Sequence, residues 1–175
     1  MSRYLYNPAR MSEDELLARF IVREKQFHML WEDFCSSSLA TIDQHFLIIG
    51  QRGMGKTTLM LKLAYEIGRN PQLRDWLIPV IFPEELFGVA ELLDLWIALG
   101  EILEERIPGM MESLERIAQQ QQEHLLIQHI RGQLAENHLK IVLFIDNLGD
   151  LLDRLEENEV RRLREILMTA TDIRL

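Results

Sequence analysis

Gly50-Gln51-Arg52-Gly53-Met54-Gly55-Lys56-Thr57 constrains this chain more than any other stretch. It spells G-x-x-x-x-G-K-[ST], a glycine-rich turn that ends in a lysine and a hydroxyl. The apolar run His45-Phe46-Leu47-Ile48-Ile49 stands before it, and its length and closing glycine predict a buried strand. After it Leu59, Leu63 and Ile67 recur four apart with Met60 and Ala64 beside them, so a helix starts at Lys56 and stops near Gly68-Arg69-Asn70-Pro71. Strand, glycine turn and helix in that order make an anion cradle. Glycines let the backbone approach phosphate oxygens without a Cβ in the way. The helix aims its free N–H groups and its positive dipole end at the anion.

A chain that holds a phosphate group this way also needs a partner for a metal. Lys140-Ile141-Val142-Leu143-Phe144-Ile145 is the most convincing strand of the sequence, and it ends in Asp146-Asn147. A carboxylate at that strand end can hold Mg²⁺ beside the loop; the competing reading is an aspartate that caps the next helix. Cofactor-binding candidates are therefore Gly50, Gln51, Arg52, Gly53, Met54, Gly55, Lys56, Thr57 and Thr58, although Gln51 and Arg52 are expected to point their side chains to solvent. Lys56 is expected to reach the β- and γ-phosphates, and Thr57 with Asp146 to hold Mg²⁺. Lys56, Asp146 and Asn147 are the catalytic candidates. Asn147 follows the acid, where an amide can orient water but cannot take its proton at neutral pH. General-base catalysis contributes about 10²–10⁴ in rate, so hydrolysis is expected to be slow unless Asp150 or another group substitutes.

The remaining elements set the fold class. Ser12 and Glu15 spell a helix-opening capping box, and a second helix is predicted over about 23–34 with Phe27, Leu30, Trp31 and Phe34 on one face. Leu77-Ile78-Pro79-Val80-Ile81-Phe82 is a strand whose proline suits a sheet edge. Helices are expected over 89–107, over about 111–137 with a break near the glutamines 119–122, and over about 150–168. Ile173-Arg174-Leu175 opens a further strand. Strands alternating with helices mean an α/β protein with a parallel sheet.

With both motifs present, the chain resembles the ATPase module of the AAA+ and STAND (signal-transduction ATPase) class over about residues 15–175. It is most similar to the initiator-type branch of origin-recognition ATPases. The wording of Gly50–Thr57 is typical of that branch, as is Phe20-Ile21-Val22-Arg23-Glu24 upstream of it, where Val22 replaces a usual glycine. The resemblance implies that Ile21, Val22 and Arg23 lie near the adenine. It implies a P-loop NTPase of the ASCE/AAA+ type, three-layer αβα, divided into a helical segment over 1–40 that leads to the nucleotide and a core over 41–175. Relatives often continue the second motif acid-acid-apolar-acid; Asp146-Asn147-Leu148-Gly149-Asp150 departs at two places. Relatives also carry a sensor asparagine, an arginine finger and a lid, none of which has a recognisable counterpart here. The implied strand order, 5-1-4-3-2, puts the strand that opens at Ile173 between the first and third strands. The fold is then expected to be incomplete at the C-terminus and the 175 residues to be the N-terminal part of a longer protein, marginal in stability by themselves.

These features together predict a module that binds ATP and Mg²⁺ and acts as a slow nucleotide-dependent switch. A non-hydrolysing scaffold and a small-molecule P-loop kinase are the alternatives. ATP is preferred over GTP because no N-K-x-D guanine motif occurs. Partners expected are ATP or ADP and, through a longer parent, a second copy or a partner protein. DNA enters by family analogy alone, and 19 Lys plus Arg against 28 Asp plus Glu, a net charge of −9, disfavour a broad nucleic-acid surface. No apolar stretch is long enough to span a bilayer. The single Cys35 and the absence of a leader-like start predict a cytoplasmic location. No histidine or cysteine spacing suits zinc, and no G-x-S-x-G nucleophile motif occurs.

Overall fold

The structure, a computed structural model, describes residues 23–40, 43–82, 89–119 and 122–175. The helix opening at Ser12, Ile21 and Val22 lie outside the described residues. The elements in order are α1 Glu24–Ser36, α2 Lys56–Arg69, β1 Leu77–Phe82, α3 Leu92–Leu103, α4 Met110–Ala118, α5 Glu123–Glu136, β2 Lys140–Ile145, α6 Leu148–Arg154, α7 Glu157–Thr169 and β3 Ile173–Arg174.

The three strands form one parallel sheet in the order β1-β2-β3. Leu77 stands opposite Lys140 and Phe82 opposite Ile145, while Ile173 and Arg174 face Ile141 and Val142. The two-residue period then sorts the side chains. Ile78, Val80, Phe82, Ile141, Leu143 and Ile173 join a core with the helices α3–α7. Leu77, Val142 and Phe144 point the other way, into a core with α1 and α2. Both faces of the strands are covered, which is why they read as continuous apolar runs rather than alternating ones. Among the described residues the result is three layers: two helices, a sheet and five helices. Pro79 sits on the edge strand β1, where its missing N–H costs no ladder bond.

The predicted helix and strand over 23–34 and 77–82 are present, and the break near 119–122 separates α4 from α5. Three expectations need correction. The run 45–49 is not a strand. It does lie beside β3: the Phe46 N–H donates to the Leu175 carbonyl at 3.0 Å and the Leu175 N–H donates to His45 Nδ1 at 2.9 Å. That places it on the far side of β3 from β2, in the expected order. A strand of two residues offers it too few backbone partners for a ladder. The helix expected over 150–168 is two helices, because Leu155 is extended and Glu156 caps α7 in a box with Glu159. The helix expected over 89–107 is confined to α3, opened by a second box of Glu91 with Asp94.

Two polar devices fasten these elements, one among the helices α3, α5 and α7 and one between α1 and the sheet. On one side, Glu159 is buried and accepts the Leu92 N–H at 2.8 Å, so α7 caps α3. Nearby, Glu123 accepts the Trp96 indole N–H at 3.0 Å and Arg162 Nε at 2.7 Å. On the other side, Lys140 and Arg174 are each 1 % exposed. The Lys140 ammonium meets the Asp43 carboxylate at 2.6 Å and donates to the Ser38 carbonyl at 3.1 Å. Arg174 pairs with Asp33, donates to the Ser37 hydroxyl at 3.1 Å, and lies over the rings of Phe34 and Phe46. The end of α1 and the connector after it are thereby fastened to β2 and β3.

Candidate nucleotide site

The parallel sheet brings the carboxyl end of β2 beside the start of α2, and this decides where the site lies. Gly53 and Gly55 both take positive φ, 81° and 74°. L side chains rarely adopt that conformation, so glycine is favoured at both turns. Gly55 is the residue before α2, and the Leu59 N–H donates back to its carbonyl at 3.0 Å. The first N–H groups of α2, at Lys56 and Thr57, have no intrahelical acceptor and point out of the helix toward the loop. Gln51 and Arg52 are exposed, as expected for solvent-facing side chains, and so are Gly50, Gly53 and Met54; Thr58 is half-buried in the first turn of α2.

Lys56 folds back over the loop. Its ammonium donates to the Gly50 carbonyl at 2.9 Å and to the Gln51 carbonyl at 3.1 Å. Next along α2, the Thr57 hydroxyl donates to Asp146 Oδ2 at 2.5 Å across 89 residues of chain. Asp146 is 7 % exposed. Its N–H donates to the Phe82 carbonyl at 3.3 Å, so β1 helps aim the strand end, and its Oδ1 accepts the Asn147 N–H at 3.1 Å. A hydroxyl oxygen and two carboxylate oxygens are thus collected at the foot of the loop. Such hard oxygen donors fit Mg²⁺. Among the described residues no group of three or more His, Cys, Asp or Glu could hold a metal ion, so a cation here would take its other oxygens from phosphate and water.

Asn147 is exposed and has φ 53° and ψ 47°, a left-handed residue at the start of α6. Asp150 is exposed in the first turn of α6, and its N–H donates to the Asn147 carbonyl at 2.9 Å. Arg23 is the one described member of the 21–23 segment. Its Nε donates to the Met54 carbonyl at 2.7 Å, which puts it on the loop itself. The reach of Arg23 carries no signal in the sequence, because its partner stands 31 residues along the chain; the left-handed turn at Asn147 agrees with the residue type alone.

A cavity of about 290 Å³ opens from the loop into the sheet layer. Lys56, Asp146 and Asn147 line its polar end; Phe34, Phe46 and Phe144 line its apolar end. Cys35 lies on α1 with its thiol pKa pushed up by partial burial, which lowers its thiolate fraction. Among the described residues no helix is long and apolar enough to cross a membrane.

Residues 41–174 match the family model described as an AAA domain. No curated protein and no solved structure matches the chain.

Proposed function

The chain belongs to the AAA domain family and is an AAA-type P-loop ATPase domain, and on that premise we propose that it binds ATP with Mg²⁺ and serves as a slowly hydrolysing, nucleotide-dependent switch. The observation that carries the reading is the 2.5 Å hydrogen bond from Thr57 to Asp146 between the phosphate loop and the end of β2. It joins the two residues whose oxygens a triphosphate-bound Mg²⁺ needs. In this reading Lys56 exchanges its two loop carbonyls for β- and γ-phosphate oxygens. The loop N–H groups and the start of α2 take the remaining phosphate charge. Thr57 and Asp146 would hold the metal, which would supply charge neutralisation at the phosphates.

The slow rate follows from Asn147. It stands where a carboxylate would be needed to accept a proton from the attacking water. Its amide can only orient that water. The amide of Asn147, which cannot take a proton, equally favours a second reading, a nucleotide-dependent scaffold that does not turn over. Assembly with a second copy or a partner protein, in the manner of the initiator-like and STAND ATPases that the sequence resembles, belongs to the same proposal.

Calorimetric titration with Mg-ATP tests the binding step, and phosphate release under saturating Mg-ATP tests turnover. Lys56→Ala is expected to weaken binding more than tenfold, or by more than about 1.4 kcal/mol. Asp146→Ala is expected to abolish the Mg²⁺ dependence while leaving some affinity for the nucleotide alone. Unchanged affinity in Lys56→Ala would remove the loop from the site. Tight binding without phosphate release would select the scaffold.

A further inference from the structure

Arg23 approaches the loop in an unusual way. It takes φ 66° and ψ 32° immediately before α1, a left-handed conformation for a long side chain. Such backbone persists only where surrounding contacts hold it. Here the Phe27 N–H donates to the Arg23 carbonyl at 2.9 Å, and Phe27, Leu30 and Phe34 are buried in the core shared with α2. A packed helix therefore delivers the guanidinium to a fixed place. That place is the loop backbone at two points. Nε donates to the Met54 carbonyl at 2.7 Å. Nη2 covers Gly50, where an added Cβ would stand only 2.8 Å away.

The peptide unit is planar and trans, so its C=O and N–H point in opposite directions. Holding the Met54 carbonyl therefore sets the direction of the Gly55 N–H in the same peptide unit. Gly55 is the left-handed residue that opens α2, and its N–H lies among the donors a phosphate would use. We propose that Arg23 is a positioning residue for nucleotide binding: its guanidinium, fixed over Gly50 and bonded to the Met54 carbonyl, turns the Gly55 N–H toward the phosphate chain. This rests on the reading of the loop as a nucleotide site. It differs from a contact with the base, since both points that Arg23 touches are loop backbone.

A backbone-setting role makes a base-independent prediction. Arg23→Ala and Arg23→Lys are titrated with Mg-ATP, Mg-GTP and Mg-pyrophosphate, with Lys56→Ala as the control for the loop. Arg23→Ala is expected to weaken ATP and pyrophosphate by the same factor, about tenfold for one charge-assisted hydrogen bond. Arg23→Lys, which can still donate to the Met54 carbonyl, is expected to recover part of the loss, and millimolar guanidinium is expected to do the same for Arg23→Ala. The melting temperature without nucleotide is expected to stay within a degree or so of the parent chain, as for a surface substitution. A loss confined to ATP, with pyrophosphate unaffected, would overturn the proposal in favour of a base contact. Full binding by Arg23→Ala would overturn it outright. If Lys56→Ala fails to weaken binding as well, the nucleotide reading falls with it; if only the Arg23 variants bind normally, that reading stands.

Discussion

At the scale of single residues, Asn147 shows how two demands meet at one position. The left-handed backbone there, φ 53°, admits Gly or Asn readily and most other side chains only at about 1–2 kcal/mol. An asparagine after Asp146 thus satisfies the turn into α6 whatever its part in hydrolysis. Asn147→Gly is expected to leave stability nearly unchanged, while Asn147→Glu lowers it by about 1–2 kcal/mol in urea denaturation. The same Glu variant is expected to release phosphate faster than the parent, because it supplies the absent carboxylate. A flat rate would show that position 147 does not face the attacking water. That Lys56, Thr57 and Asp146 come together was legible in the sequence, because the glycine loop and the acid-ended strand place a helix start beside a strand end. The left-handed backbone at Arg23 was not legible, since nothing in an arginine before a helix marks it.

At the scale of elements, periodicity identified most helices and strands, and capping decided where they stopped. The break between α6 and α7 carries no signal in the sequence because Glu156 is an uncommon helix cap and the apolar spacing runs on across it. The turn from α3 to α4 depends on another glutamate. Glu104 accepts the Gly109 N–H at 2.9 Å and the Met111 N–H at 2.8 Å, one with each carboxylate oxygen. The bonds from Met111 and then Gly109 hold its carboxyl pKa below the ordinary value. A depressed folded pKa means that the stabilisation is present above the unfolded value, about 4.3, and is lost as pH falls through the folded one. Glu104→Gln is therefore expected to melt lower than the parent at pH 7, with the difference narrowing as the solution is acidified below about pH 4. A gap in melting temperature that does not change with pH would mean that packing, not charge, sets the effect.

At the scale of the whole molecule, the parallel order and the position of the 45–49 run beside β3 follow the layout that the family resemblance implied. The buried ion network was not legible. Asp33, Asp43, Lys140 and Arg174 are scattered through the sequence, and nothing local marks a lysine that opens an apolar strand as buried. Removing one member strands its partners: Arg174→Ala is expected to cost about 3 kcal/mol, at the low end for a broken buried pair because Asp33 is one-third exposed and can rehydrate. Urea denaturation measures it, and a loss below about 0.5 kcal/mol, typical of a surface change, would show that the network adds little.

That network also orders events in time. Arg174 reaches Asp33 across 141 residues and Ser37 across 137; His45 meets the Leu167 carbonyl across 122. Contacts of such long range are slow to form, since closing a long loop precedes any gain from it. During synthesis at about 5–20 residues per second, α1 and the segment leading into the phosphate loop leave the ribosome on the order of ten seconds before β3 exists to hold them. For that interval Phe34, Phe46 and the charged groups around them have neither their aromatic–guanidinium stack nor their ion pairs. The end of α1 and the connector after it wait for their ion pairs until β3 is made, and the nascent chain is more open to proteolysis or chaperone capture there until the residues around Arg174 emerge.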